Sequence, residues 1–522
     1  MAVEKGFKGP DLRIDRYAAA AIGITLFGSI LRIYQLGAEN ITCDEGYSIR
    51  LAGLGIDQII KTLFTSDFNP PLHFLLLRYW TGAFGNSEVS ARLPSAILGA
   101  ASIFAIYKLG QLIFNRRVGL IAALLLSLSW FQVYYSQEAR AYSLMVLMSI
   151  LSLYYFVSLL KERNTKNSAL YLVFSAFLLY SHLFGAFIVA AQNIYVLYLF
   201  LAKRGKSEGA FRRWALCGWT LHQLALLAAF SPWLFVLSNQ VFRAKELANT
   251  SSWVIEKPTS MSVLQPLVSF AGSTWLLLLY SAAIIGASVT SGMGKRLLLS
   301  EFQAPSTTTD RTPFKDILRM GSDGAKISLL AIWLLAPSFL ALVISYTSVP
   351  IYIDKYLIGS SPALYLLVAR SMDRLADKSL TAAAIAIALI VSLSGYGLWD
   401  IYATVNKKQS KDMASVIDEN ASAGDLVIIN PRNYVENVFD YYSRRTDLVE
   451  VGFPSRGFYA NQKNVAELYP IVKNYDRVWL VKFLDDEKGL ALIKGALNRT
   501  HELAGDGRYA GVELFYYEKK ER

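Results

Sequence analysis

The apolar positions of this chain gather in unbroken runs instead of alternating or forming narrow helical stripes. The first run is Tyr17–Leu36. Others recur at about Arg92–Phe114, Val118–Tyr135, Glu138–Leu160, Ser168–Ser181, Phe184–Leu201, Trp214–Leu237, Thr274–Thr290, Ile327–Tyr346, Tyr356–Ser371 and Leu380–Tyr402. An apolar helix of about 20 residues crosses the hydrocarbon of a bilayer, so the pattern predicts roughly eleven transmembrane helices. Phe74–Phe84 is too short to cross and follows Pro70-Pro71. It predicts a helix lying in the interface, with Pro71 suited to its first turn. Ile49–Phe64 before it is amphipathic. From about Asn406 the pattern changes. Short apolar runs at Asp425–Asn430, Leu448–Phe453, Arg477–Phe483 and Val512–Tyr517 read as strands. They are interleaved with helical stretches at Asp412–Asn420, Tyr434–Arg444, Val465–Asp476 and Glu487–Asn498. That alternation predicts a small α/β domain. The expected fold is mainly α: a polytopic membrane domain over residues 1–403, with the first loop, 37–90, carrying the chemistry. A soluble α/β domain is expected over 404–522.

Composition agrees. Hydrophobic residues make up 54% of the 522 and charged residues 18%, against about 45–50% and about 25% in soluble proteins. The net charge of +12 does not point to nucleic acid, because topology explains where the cations fall. Arg116-Arg117, Lys161/Arg163/Lys166, Lys203–Arg213, Lys295–Arg319 and Arg370/Arg374/Lys378 occupy one set of alternating loops. By the positive-inside rule that set is cytoplasmic, as is Met1–Arg16. The Asp44 loop and the C-terminal domain are then expected on the outer side of the plasma (inner) membrane. Met1–Arg16 followed by a span-length run reads as an anchor that stays. Gly292–Ala325 has no periodicity and receives no function. Cys43 and Cys217 imply no disulfide framework. The chain shows no internal repeat, and its C-terminal domain shows no Gly-rich phosphate loop or metal-ligand spacing.

Ionisable residues collect at the outer ends of the runs. Ile41-Thr42-Cys43-Asp44-Glu45-Gly46-Tyr47-Ser48 follows the first run. Asn69-Pro70-Pro71-Leu72-His73, Ser136-Gln137-Glu138-Ala139-Arg140-Ala141-Tyr142-Ser143, Ser181-His182-Leu183-Phe184-Gly185 and Pro350-Ile351-Tyr352-Ile353-Asp354-Lys355-Tyr356 fall at the same depth. Each group alone has an ordinary reading: Arg140 snorkelling to headgroups, His182 capping a helix end, Glu138 favoured by a helix dipole. Together they make a functional cluster at the membrane boundary. Its chemistry fits group transfer from an anionic lipid. Arg and Lys stabilise a departing lipid phosphate, and a carboxylate takes the acceptor's proton. Cys43 is an unsuitable nucleophile, since the neighbouring Asp44 charge raises a thiol's pKa.

The order C-D-E-G-Y, N-P-P-L-H-F, R-L-P-S-A, R-R-V-G-L-I-A-A-L-L-L-S-L-S and S-Q-E-A-R-A-Y-S-L resembles the membrane glycosyltransferases of the C-type fold. The likeness is to the branch of the dolichyl-phosphate-mannose protein mannosyltransferases and the lipid A aminoarabinose transferases. It covers about Tyr17 to Gly185 and is weaker at Asp354–Pro362. The resemblance implies inverting transfer of a single sugar from a polyprenyl-phosphate carrier to a protein hydroxyl, a lipid or an envelope glycan. It makes Asp44 the base or acceptor-positioning acid, Glu45 its usual partner and Glu138 a second acid of the cavity. Arg140 and Lys355 are implied to meet the donor phosphate, with Tyr142 beside them. Asn69 stands where relatives often carry His or Lys, and His73, four residues on, is then the substitute that the resemblance implies at the donor phosphate. His182, Asp354 and Tyr356 complete the cavity. No cofactor is required, although Asp44, Glu45 and Glu138 are a set that a divalent cation fits in principle. The Trp-Trp-Asp signature of oligosaccharyltransferases is missing. The competing classes are a transporter or lipid flippase, which calls for repeat symmetry and mid-span polar groups, and a non-catalytic envelope assembly subunit.

Overall fold

The structure, a computed structural model, describes residues 15–67, 69–202, 208–248, 257–260, 262–290, 323–404, 407–455, 459–483 and 486–521. The expectations for residues 1–14 and for most of Gly292–Ala325 lie outside these. The chain is mainly helical, and all eleven predicted spans fall on helices. Six of these helices are long and apolar enough to cross a membrane, and two bent pairs bring the number to eight among the described residues. That is fewer than the eleven expected. The difference lies in Thr165–Ser181, Gly185–Ala202 and Ser361–Lys378. The 17 residues of Thr165–Ser181 give a helix of about 25 Å, and Ser361–Lys378 ends in a run of charges.

The chain enters through α1 (Arg16–Ile33) and then forms three short helices, α2 (Cys43–Gly53), α3 (Ile56–Ser66) and α4 (Leu72–Phe84). The amphipathic stretch is thus divided, part in α2 and the rest in α3. Asp44 and Glu45 are in a helix and not in an open loop. The core of the bundle is built by α5 (Glu88–Ile113), α6 (Arg116–Leu128), α7 (Trp130–Ser136) and α8 (Tyr142–Lys161). Helices α5 and α6 meet with almost no space between them. A Cβ on Gly119 would lie 2.4 Å from the Tyr107 carbonyl oxygen, and one on Gly110 would lie 2.7 Å from Gly119 Cα. Small residues at such crossings let helix backbones approach in a membrane.

The span continued by α6 and α7 is broken by 62° at Ser129. A break in a membrane helix strands backbone carbonyls, which must find donors within the protein. Arg32, fully buried at the end of α1, supplies them: Nη2 donates to the Leu126 carbonyl at 3.2 Å and Nη1 to that of Ser127 at 3.4 Å, while Nη1 also bonds the Gly28 carbonyl of its own helix. The Ser129 hydroxyl caps α7 and also accepts from the Tyr365 hydroxyl. The bend aims α7 so that residues 137–141 leave the bundle next to α2.

At the opposite end of the bundle, ion pairs close the loops. Arg370 and Arg374 converge on Asp323, Arg370 also meets Asp373, and Asn115 donates to Asp373.

The C-terminal elements form a five-stranded sheet in the order β2-β1-β3-β5-β4, with β1 (Leu426–Asn430), β2 (Val449–Gly452), β3 (Arg477–Lys482), β4 (His501–Tyr509) and β5 (Val512–Lys519). The first three strands are parallel and the last two antiparallel. Every residue of β1 is buried, as a central strand covered on both faces requires. Helices Ser410–Asn420 and Arg432–Tyr442 cover one face, and Leu468–Val472 and Glu487–Leu497 the other. Strand β4 has no counterpart among the predicted elements. It is an exposed edge strand with a bulge between Leu503 and Gly505 and two glycines, so apolar alternation is absent. Gly511, at φ +70°, turns it into β5.

Gly119→Ala should destabilise the α5–α6 crossing by ~1–3 kcal/mol, whereas Gly23→Ala, where a Cβ meets nothing within 4 Å, should be neutral or slightly stabilising. Thermal unfolding of the two variants in detergent measures this, and equal midpoints would refute the close packing.

Candidate functional site

The first turn of α2 is fixed locally. Thr42 caps it in a reciprocal capping box: the Glu45 N–H donates to Thr42 Oγ1 at 3.2 Å, and the Thr42 N–H to Glu45 Oε2 at 2.9 Å. A capping-box glutamate usually faces water. Here Glu45 has no exposure at all. Its Oε1 accepts from Arg92 Nε at 2.7 Å and from the Ala139 N–H at 3.0 Å. Its Oε2 accepts from Arg92 Nη2 at 3.0 Å and from Lys407 Nζ at 3.1 Å. Arg92 completes its five donors on the carbonyls of Leu36, Glu39 and Asn40. Burial pushes the Glu45 carboxyl up, and the charges of Lys407 and Arg92 outweigh it, so the group is held well below the usual carboxylate range.

Asp44 points the other way and is about a third exposed, with Oδ2 3.0 Å from Lys355 Nζ. Arg140 Nη1 donates to the Asp44 backbone carbonyl at 3.3 Å and to the Ser48 hydroxyl at 3.0 Å. Burial raises the Asp44 carboxyl, but Arg140 and Lys355 together more than offset it and leave it lowered. Glu138 is in the opposite state. It is buried, and desolvation, with Glu45 and Asp44 nearby, keeps its carboxyl above the usual range despite Lys407 and Lys355.

Lys355 sits between two aromatic rings, its Nζ 5.8 Å from the centroids of both Tyr142 and Tyr356, a spacing at which a ring face attracts a cation. The preceding Asp354 fixes the loop, accepting from the Ser269 hydroxyl at 2.6 Å and from the Lys355 N–H at 2.7 Å. The Tyr142 hydroxyl is buried and has no hydrogen-bond partner among the described residues. A polar group in that state lacks its normal satisfaction, and this one belongs to the ring beneath Lys355.

Both histidines of the site are buried and neutral. His182 is pushed down to about 3 by burial and by Arg140 and Lys355, and its Nδ1 accepts from the Phe184 N–H at 3.2 Å. Its ring lies 5.9 Å from Tyr142 and 5.5 Å from Tyr356. His73 is likewise driven to about 3 by burial and by Arg140, and its Nε2 bonds the Ala139 carbonyl at 3.1 Å. His73 therefore brings no positive charge to a phosphate; it steadies residues 137–141. Cys43 is buried and its thiol pushed up to about 12 by desolvation, which agrees with its dismissal as a nucleophile.

All ten residues singled out from sequence thus belong to one end of the bundle, and Asp44, Arg140, Lys355, Tyr142, His182 and Tyr356 form one contiguous set. Glu45 and His73 face inward, with both Glu45 oxygens and His73 Nε2 committed. Glu45 in consequence offers no lone pair to a metal, so Asp44, Glu45 and Glu138 do not fit a cation as a set. Arg92, Lys407 and Ser48 were not singled out. Thr42-x-x-Glu45 is a legible capping signature, and Arg92 is a cation at the edge of an apolar run, itself a signal. Lys407 lies far along the chain and carries no local signal.

Residues 69–236, about a third of the chain, match the family model of dolichyl-phosphate-mannose-protein mannosyltransferases. No curated protein sequence matches the chain. Among solved structures, ArnT from Cupriavidus metallidurans in the apo state is similar at 14% identity and a TM-score of 0.59, over 95% of this chain and 98% of that one. ArnT from Cupriavidus metallidurans bound to undecaprenyl phosphate is similar at 13% identity and 0.59, over 96% and 98%. With its bundle of apolar helices and its small C-terminal sheet, the chain is a multi-pass membrane protein with the C-type glycosyltransferase fold, similar in sequence over residues 69–236 to the dolichyl-phosphate-mannose-protein mannosyltransferases.

Proposed function

We propose that this protein transfers a single sugar from a polyprenyl-phosphate carrier to an acceptor hydroxyl on the outer face of the membrane, with inversion at the anomeric carbon. The observation that carries the reading is an ionised, partly exposed carboxylate, Asp44, set against two cations, Arg140 and Lys355, at the end of an apolar bundle. The acceptor oxygen attacks the anomeric carbon, the bond from that carbon to the phosphate oxygen breaks, and the acceptor's proton passes to Asp44. Arg140 and Lys355 take up the charge that develops on the departing lipid phosphate. The unpartnered Tyr142 hydroxyl beside Lys355 adds a donor for it. Glu138 is buried, so the partly exposed Asp44 is the carboxylate placed to meet an acceptor. The contrast between two neighbouring carboxyls is the usual way to tell such roles apart. Glu45 holds the loop and does not touch substrate.

The reading calls on no cofactor, since the two cations supply the positive charge. Its expected partners are the lipid-linked sugar, the bilayer and a protein, lipid or glycan acceptor. That ArnT from Cupriavidus metallidurans is described bound to undecaprenyl phosphate supports a polyprenyl-phosphate donor here. The outer-face orientation rests on the loop cations.

Asp44→Asn should lower transfer by about 10²–10⁴-fold while leaving undecaprenyl phosphate binding intact; transfer at the parent rate would remove the base assignment. For Arg140→Ala and Lys355→Ala, titration with undecaprenyl phosphate should show affinity weakened by about tenfold or more, and unaltered affinity would sink their phosphate roles. Glu45→Gln tests stability. It leaves Arg92 and Lys407 buried without a full counter-charge and should cost about 3–5 kcal/mol, read as a lower melting temperature in detergent. Because the Glu45 carboxyl is lowered on folding, its contribution is present above the unfolded carboxylate range and is lost as pH falls below it. The gap between parent and variant should therefore close at acidic pH.

A further inference from the structure

We propose that the C-terminal sheet unit is a clamp on the helix that carries Asp44, with Lys407 as its positioning residue. This goes beyond the transfer reading and holds for any chemistry at Asp44.

One face of α2 belongs to the sheet unit. Cys43, Gly46 and Arg50 are spaced at i, i+3 and i+7, which places them on one side of a helix. Cys43 is buried among Met413, Val435, Val438 and Phe439, within the core that covers one face of the sheet. At Gly46 a Cβ would lie 3.1 Å from the Asn437 carbonyl oxygen and 3.3 Å from Val438 Cγ2. The backbone of α2 therefore rests directly on helix Arg432–Tyr442. Arg50 Nη1 donates to Asn437 Oδ1 at 2.8 Å, and the Ile41 N–H donates to the Tyr442 hydroxyl at 2.7 Å. The other side of α2 presents Asp44 and Ser48 to Arg140. The helix is held between the two halves of the molecule, and the reacting carboxylate lies at its first turn.

Lys407 joins this contact to the buried charges. It stands at the start of the sheet unit with a side chain only 4% exposed. Its Nζ donates to Glu45 Oε2 at 3.1 Å and to the Gln137 carbonyl at 3.3 Å. One ammonium thus ties α2, residues 137–141 and the sheet unit together. The Glu45–Arg92 pair is balanced without Lys407. Removing the ammonium should therefore loosen the clamp and leave the pair formed.

The test uses the full-length protein with Cys217→Ser, so that Cys43 is the one thiol. Maleimide labelling of Cys43 reports separation of α2 from the sheet unit, and undecaprenyl phosphate titration reports the phosphate site. Lys407→Met should label about tenfold faster, as a local opening does, and should bind the lipid more weakly. Lys407→Arg should restore both, and Lys519→Met, an exposed pair partner of Asp476, should change neither. Labelling at the parent rate in Lys407→Met overturns the proposal. Should Lys407→Met fail to fold, Asn437→Ala and Tyr442→Phe break the clamp outside the charge cluster. Faster labelling in them supports it, and the parent rate overturns it. A parent protein that does not bind undecaprenyl phosphate counts against the donor reading alone, because the Cys43 rate still decides the clamp.

Discussion

The burial of Glu45 is the constraint on which the site depends. Removing a carboxylate, a guanidinium and an ammonium from water costs several kcal/mol per ion unless each is matched in charge and in hydrogen bonds. The match here is complete on the acid and the guanidinium. Both Glu45 oxygens are shared among Arg92, Lys407 and two backbone N–H groups, and Arg92 uses all five donors. The chain between α1 and α2, the first turn of α2, the loop after α7 and the start of the sheet unit therefore meet at one point. None of the four can shift without taking a hydrogen-bond partner from Glu45 or Arg92, so Asp44 is held by a neighbour that faces away from it.

The same surroundings sort the carboxyls. Asp44 lies at the rim, where Arg140 and Lys355 together outweigh its desolvation and hold its carboxyl lowered. Glu138 is enclosed, and its cations are shared with other acids. The proposed reaction calls for such a division, because a base and the cations that would receive a leaving phosphate must both carry charge within a few ångströms. The two rings against Lys355 help by holding its ammonium with π faces, which leaves hydrogen-bonding capacity open.

The membrane helices contribute geometry. A straight α6–α7 span would carry residues 137–141 past the site. The bend at Ser129 turns them toward α2, and it is tolerated because Arg32 reaches the freed carbonyls from α1. The fold uses a buried arginine at a helix break and another at the Glu45 pair. In both places the cation satisfies backbone oxygens that lipid cannot.

By itself the sequence determined the membrane bundle, the change to an α/β pattern after about residue 406, and the depth at which Asp44, Arg140, Lys355, Tyr142, His182 and Tyr356 occur. Each of these follows from local periodicity, run length or position relative to a span end, which a chain carries without reference to its tertiary contacts. Strand β4 escaped because an exposed edge strand interrupted by glycines needs no apolar alternation. The count of spans stayed open because run length does not separate a full crossing from a shorter buried helix. Only the tertiary structure decided which acid stays exposed and which is buried. Asp44 and Glu45 are adjacent, and composition and spacing treat them alike. What divides them is Arg92, 47 residues on, and Lys407, 362 residues on. A contact at that separation is a product of packing, and no local pattern announces it.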